Sequence, residues 1–314
     1  MKAEMKRKIE TAVKKWAEND SSRPLLIQGA RRVGKTFLAE KCGRELFGNG
    51  FIKLDFQTDL ERTSAIFDGP SDVIARIVSR IGEYKRVTPD PETSVFLFDE
   101  VQLCEKALNS LRFFAGTPWK IIATGSLLGV TVKKRKLPFP SDVKHVRMYP
   151  MTFEEFLWGI GEEKMAQDIR THALSCEPYI HHDLAMDLYQ RYLVVGGMPK
   201  AVRTYLETGS FSDVREVLEE IDITYTADMT DPDNGISAAA AKRIWSSIPK
   251  QLLRSSTKKF KYSEVIRGGR RTSLLEPLEW LEAAGIILRN DLTCSSAYPL
   301  VPFNDEEGDR KSVV

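Results

Sequence analysis

The chain has 314 residues, 42% of them hydrophobic and 29% charged, with a formal net charge of +2. That length allows about two domains, the balance excludes a disordered chain, and the near-neutral charge argues against a chain wholly given over to coating nucleic acid. No apolar run approaches the roughly 18 residues of a membrane span.

The opening, "MKAEMKRKIETAVKKWAEN", is basic but lacks the apolar core of a signal peptide. Met5, Ile9, Val13 and Trp16 recur at helical spacing with the lysines opposite. This predicts an amphipathic helix within residues 1–22 that packs on the next domain, binding to a membrane surface being the alternative. From 23 to about 150, short apolar runs alternate with helix-like periods, the signature of a parallel sheet with crossover helices. The predicted strands are Leu25 to Gln28, Phe51 to Phe56, Val95 to Phe98, Lys120 to Thr124 and Lys144 to Met148. A helix is expected to open on Ser71, with Ile74, Ile77, Val78 and Ile81 on one face, and another to stop at Gly116 and Pro118.

After 150 the pattern becomes helical. Thr152 and Glu155 form a capping box ahead of an apolar run, and helices are expected near 183–194, 199–208, 212–229 and 237–254. "VVGGMP" reads as a tight turn between two of them. Around 260 the order is helix, Gly-Gly turn, helix and apolar strand, that of a winged helix-turn-helix. Cys42, Cys104, Cys176 and Cys294 lie far apart, none at metal-clip spacing. They read as free thiols of a reducing, cytoplasmic setting. His181-His182 reads as a helix start rather than a metal site.

Gly29-Ala30-Arg31-Arg32-Val33-Gly34-Lys35-Thr36 fits the phosphate-loop pattern G-x-x-x-x-G-K-[ST] between a strand and a helix. Glycine lets the backbone close on a ligand, successive N–H groups can form an anion nest, and a helix start adds its positive dipole end. The loop, through Phe37, is the expected nucleotide-binding segment. Lys35 would reach the β- and γ-phosphates and Thr36 the Mg²⁺ shell. In "SVFLFDEVQ" an apolar strand delivers Asp99 and Glu100 at its carboxyl end, where ligands of open α/β sheets bind. Asp99 suits the metal and Glu100 the activation of water. In "WKIIATGSLLG" a further strand ends in Thr124, Gly125 and Ser126, small polar groups able to sense the γ-phosphate.

Together, "GARRVGKT", "FLFDEVQ", "IATGSLLG", "RMYPMTFEEFL" and "YLVVGGMPKAV" resemble the AAA-type (AAA+) P-loop ATPases. The likeness is to a prokaryotic branch that adds a winged helix and a C-terminal nuclease-like domain. It covers roughly residues 16 to 290. It implies an α/β fold: a P-loop NTPase parallel sheet (23–150), a helical lid (151–235) and a winged-helix-like domain (236–300). It also implies ATP and Mg²⁺, with Lys35, Glu100 and Ser126 as catalytic residues and Thr36 and Asp99 at the metal. Members of the branch continue into the nuclease-like domain, so residues 301–314 read as a truncated tail.

Lys258, Lys259, Lys261, Arg267, Arg270 and Arg271 cluster around the helix-turn-helix. They suggest DNA contact through Arg267, Arg270 and Arg271, although winged helices also dock proteins. The basic run Lys133 to Lys136 reads as a loop reaching solvent, DNA or a neighbouring subunit. Arg112, Arg135, Arg147 and Arg191 are candidate arginine fingers, possible from another copy in a homo-oligomer. Three functions are compatible: an ATPase coupled to a DNA or protein partner, a nucleotide-gated binding module with negligible hydrolysis, and a small-molecule P-loop kinase. The Asp99-Glu100 pair and the long helical half argue against the kinase.

Overall fold

The computed structural model describes residues 5–18, 23–70, 72–126, 131–132, 135–136, 142–232, 235–254, 260–266, 272–290 and 312–313. The elements run α1 (Ile9–Glu18), β1 (Leu25–Gln28), α2 (Lys35–Phe47), β2 (Phe51–Asp55), α3 (Leu60–Ile66), α4 (Ile74–Lys85), β3 (Val95–Asp99), α5 (Glu105–Phe114) and β4 (Lys120–Gly125). A two-residue pair follows, β5 (Thr131–Val132) and β6 (Arg135–Lys136), then β7 (Lys144–Arg147). The rest is helical: α6 (Phe153–Gly159), α7 (Glu163–Ser175), α8 (His182–Val195), α9 (Pro199–Thr208), α10 (Phe211–Thr230), α11 (Ala238–Arg254), α12 (Tyr262–Val265) and α13 (Thr272–Ala283). Short β8 (Arg289–Asn290) and β9 (Ser312–Val313) close the order.

Two compact units result: residues 1–126 with 140–222, and residues 127–139 with 223–314. In the first, five strands form one sheet in the order β2-β3-β4-β1-β7, every neighbouring pair parallel. β1, β3 and β4 are buried along nearly their whole length, which is why they read as continuous apolar runs rather than alternating ones. Phe56, Phe67, Phe98 and Phe114 pack tilted or edge-to-face, with centroids 5.4 to 6.2 Å apart. The register aligns the strand ends. Gln28 pairs with Gly125 and with Arg147, and Asp55 with Asp99, so the residues after β1, β3 and β4 emerge along one edge.

The capping box of Thr152 and Glu155 starts α6 as expected. A second core gathers Leu157, Met165, Ala166 and Ala185. α1 buries Val13 and Trp16; Met5 is buried ahead of the helix rather than in it. α4 starts at Ile74, and the expected start at Ser71 lies outside the described residues.

In the second unit α11 packs on α13, and Ile244, Ile248, Leu274, Leu278 and Leu281 of the two helices are buried. Of the apolar strand expected after α13, the described residues hold Arg289–Asn290, and residues 291–300 lie outside them. Gly285, at φ +72°, turns the helix end, and the Ile286 and Ile287 N–H groups donate back to the Leu281 carbonyl, so neither can enter a ladder. Lys258, Lys259, Arg267, Arg270, Arg271 and the Gly-Gly turn lie outside the described residues, as do Lys133, Lys134 and the Arg135 and Lys136 side chains. Among the described residues no helix is long and apolar enough to cross a membrane.

Candidate functional site

The loop between β1 and α2 closes tightly on the sheet edge. A Cβ at Gly29 would come 2.1 Å from the Met148 carbonyl oxygen, so only glycine fits. Arg32 (φ 64°) and Gly34 (φ 97°) take left-handed conformations, the alternation that turns successive N–H groups inward as a nest. Lys35, at the start of α2, is buried, and its ammonium donates to the Ala30 carbonyl (2.9 Å). Burial pulls the Lys35 ammonium below the usual lysine range, while Glu100 and Asp99 pull it back up.

Asp99, buried at the end of β3, is the hub. Its Oδ1 accepts from the Thr36 hydroxyl (2.8 Å) and the Thr124 hydroxyl (2.6 Å), and its Oδ2 meets Lys53 Nζ at 2.9 Å. Lys53 also pairs with Glu40 (2.9 Å) and Asp55 (3.2 Å). Burial opposes its charge, yet the hydrogen bonds to Glu40 and Asp99 outweigh it and raise the ammonium above the usual lysine range.

Glu100 follows in a left-handed conformation (φ 54°), its N–H donating to the Thr124 hydroxyl (3.0 Å). Non-glycine residues held there are sites of stored strain. The Glu100 carboxylate accepts from the Ser126 hydroxyl (3.1 Å) and from the Gln102 amide, whose N–H₂ also reaches Ser126 (3.2 Å). The Gln102 Oε1 is buried and finds no hydrogen-bond partner among the described residues.

Lys35, Thr36, Asp99, Glu100 and Ser126 thus meet at one edge of the sheet. Thr124 and a loop of two glycines complete the setting. The donor types suit a hard divalent cation, since one carboxylate and one hydroxyl leave room for phosphate oxygens and water. Among the described residues no group of three or more His, Cys, Asp or Glu gathers as a protein-only metal site. Beside the loop lies a cavity of about 200 Å³, lined in part by Met5, Phe37, Leu38, Met148, Lys200 and Arg203. Phe37 is exposed on its rim.

Sequence reasoning missed Lys53, Gln102 and Arg7. Lys53 had one signal, the lone cation within the strand "FIKLD". Arg7 is buried and donates to Glu155 (3.2 Å), to the Val33 carbonyl of the loop (3.1 Å) and to the Tyr149 carbonyl (2.7 Å). It ties the loop to the start of α6.

Residues 21–157 match the model of the AAA domain family, and residues 186–295 match a domain of unknown function (DUF8612). No curated protein matches the chain in sequence. Among solved structures, Orc1 of Aeropyrum pernix in complex with DNA is 14% identical, with a TM-score of 0.39, over 98% of this chain and 88% of that one. A RuvB variant of Thermotoga maritima is 15% identical, with a TM-score of 0.38, over 91% and 88%. AMPPCP-bound DnaA of Aquifex aeolicus is 15% identical, with a TM-score of 0.37, over 87% and 86%.

Proposed function

We propose, from the AAA-domain match over residues 21–157, that the chain binds ATP with Mg²⁺ and hydrolyses it, coupling the nucleotide state to a DNA or protein partner. The observation that carries this reading is the shared edge of Lys35, Thr36, Asp99, Glu100 and Ser126 at the ends of three parallel strands.

The backbone N–H groups of residues 29–36 cradle the phosphates, and Lys35 exchanges the Ala30 carbonyl for phosphate oxygens. Phe37 and the adjoining cavity, with Met5, Leu38 and Met148, receive the nucleoside side. Thr36 and Asp99 would hold Mg²⁺, which would neutralise phosphate charge when bound. Glu100 takes the proton from the water that attacks the γ-phosphorus, giving ADP and inorganic phosphate. Ser126, already bonded to Glu100, orients its carboxylate.

Phosphate release from Mg²⁺ and ATP by the purified chain tests this, beside Glu100→Gln. Release that the substitution lowers by about 10²- to 10⁴-fold, with ATP binding retained, supports hydrolysis through this carboxylate. Absence of ATP binding sinks the proposal.

One observation favours a second reading, a nucleotide-gated module with negligible hydrolysis. Glu100 is held by Ser126 and Gln102, away from any free general-base role. On that reading Glu100→Gln leaves partner binding and its ATP dependence intact.

A further inference from the structure

The second unit holds a groove of about 320 Å³ along α11, lined by Lys242, Arg243, Ser246, Lys250 and Arg254, with Glu264 contributed by α12. Lys242, Ser246, Lys250 and Arg254 follow one another at four-residue intervals, so they form one line along the helix, with Arg243 beside it. The line is roughly 18 Å long at about 1.5 Å per residue.

Nothing described offsets this charge. α11, "AAAAKRIWSSIPKQLLR", contains no carboxylate. Among the described residues none of its four cations makes an ion pair or hydrogen bond. The lone acid in the lining, Glu264, pairs with Lys261 (3.4 Å). Lys250 and Arg254, four apart, repel one another across one helix turn. Arg254, in the last turn, complements the helix dipole, whereas Lys242, Arg243 and Lys250 lie ahead of that turn without a described counter-ion.

The lining also selects the kind of anion. A small ligand would engage one end of an 18 Å line. Cores of protein interfaces are aromatic or aliphatic and poor in lysine, whereas Val265 is the one apolar residue among those named in this lining. The exposed Leu253 of α11 lies outside the lining. Single-stranded nucleic acid asks for aromatic stacking platforms, and no aromatic side chain lines the groove. Lysine, arginine and a serine hydroxyl are the usual partners of duplex phosphates. An 18 Å line faces roughly five phosphates of one strand, at 3.4 Å of axis each.

We propose that the α11 groove binds the sugar–phosphate backbone of duplex DNA without regard to sequence. This narrows the partner half of the function proposed above and rests on it there, while standing apart from the nucleotide half.

The test uses the full chain and a labelled duplex of arbitrary sequence, roughly 20 base pairs long, titrated between about 50 and 200 mM salt. The wild type is expected to show a log–log salt slope of about −3 to −4, near −0.9 per phosphate contact. The double variant Lys250→Gln/Arg254→Gln should make that slope shallower by about 2 and weaken binding at least about tenfold at the low-salt end. Lys250→Arg should keep the wild-type slope, which separates lost charge from lost fold. ATP binding, followed in the same samples, should be equal in all three. Loss of ATP binding by the wild type with the slope change intact would remove the nucleotide reading and leave this one standing. The proposal is overturned by an unchanged slope in the double variant, or by a slope that moves only with Arg267→Gln/Arg270→Gln/Arg271→Gln. Tighter binding of duplex RNA, single-stranded DNA or polyglutamate than of duplex DNA overturns it equally.

Discussion

The carboxyl edge of the sheet and the α11 groove are both charged, but they are charged in opposite ways. At the sheet edge every charge has a partner: Lys35 meets the Ala30 carbonyl, Asp99 meets Thr36, Thr124 and Lys53, and Glu100 meets Ser126. Along α11 the four cations have none among the described residues. A ligand at the sheet edge must therefore exchange bonds already made, which gives selectivity and a change of state. A ligand at α11 only adds counter-charge, which gives salt-sensitive and unselective attraction.

The largest effect expected from this contrast is on hydrolysis. Glu100→Gln keeps the shape and the Ser126 contact but removes the proposed proton acceptor, so turnover should fall by about 10²- to 10⁴-fold. An equal turnover in both proteins would place the base elsewhere.

Next in size is the buried pair that ties the phosphate loop to α6. Arg7 and Glu155 are 8% and 4% exposed, and Glu155 also accepts from the Lys8 and Thr152 N–H groups. Glu155→Ala should cost about 3 to 5 kcal/mol in urea unfolding, because it strands a buried guanidinium. The exposed Lys200–Glu220 pair sets the scale for comparison: Lys200→Ala should change stability far less. Similar values for the two would mean that Arg7 is reached by water.

Lys53→Met comes third. It leaves the buried Asp99 without its counter-charge at a cost of about 1 to 3 kcal/mol. Mg²⁺ with ATP should then raise the melting temperature of the variant more than that of the wild type, since the ligand replaces the lost cation. Its pH dependence is fixed in sign. Lys53 is held above its ordinary value of 10.5, so its contribution is complete below that pH and is lost only as pH rises through the higher folded value. Asp55 is held below its ordinary 3.8: although burial opposes ionisation, hydrogen bonds to Thr58 and Lys53 favour it. Its share is present above that pH and fades as acid is added. The difference between variant and wild type should be flat from about pH 5 to 9.

These residues also mark how far the sequence could be read. Five strands and the loop at 29–36 were legible because buried parallel strands are continuous apolar runs and the loop is contiguous. Asp99 and Glu100 were legible because a strand end is a position with a known use. Lys53, Gln102 and Arg7 were not, because their roles depend on partners 46, 24 and 148 positions away: Asp99, Ser126 and Glu155. Register and packing, not local pattern, bring those together. The start of the strand after α13 was harder to read, because the helix end captures the Ile286 and Ile287 N–H groups and the described ladder begins at Arg289.

The smallest effect is the sharpest test of the contrast, because it sits in two adjacent residues of one helix. Gln251 is buried and fully engaged: its amide donates to the Ser247 hydroxyl (2.8 Å) and the Lys261 carbonyl (3.1 Å) and accepts from the Lys261 N–H (2.7 Å). Gln251→Ala should cost about 1 to 3 kcal/mol, since it leaves the Lys261 backbone unpaired. Lys250, next to it, has no described partner and a like charge four residues on. Lys250→Ala should therefore change stability by no more than about 0.5 kcal/mol, and in the stabilising direction, as repulsion from Arg254 is relieved and alanine favours the helix. Urea unfolding of the two variants reads this directly. A clear loss of stability in Lys250→Ala would mean that the cation already serves the fold, and the groove would then no longer be a surface kept for an anion.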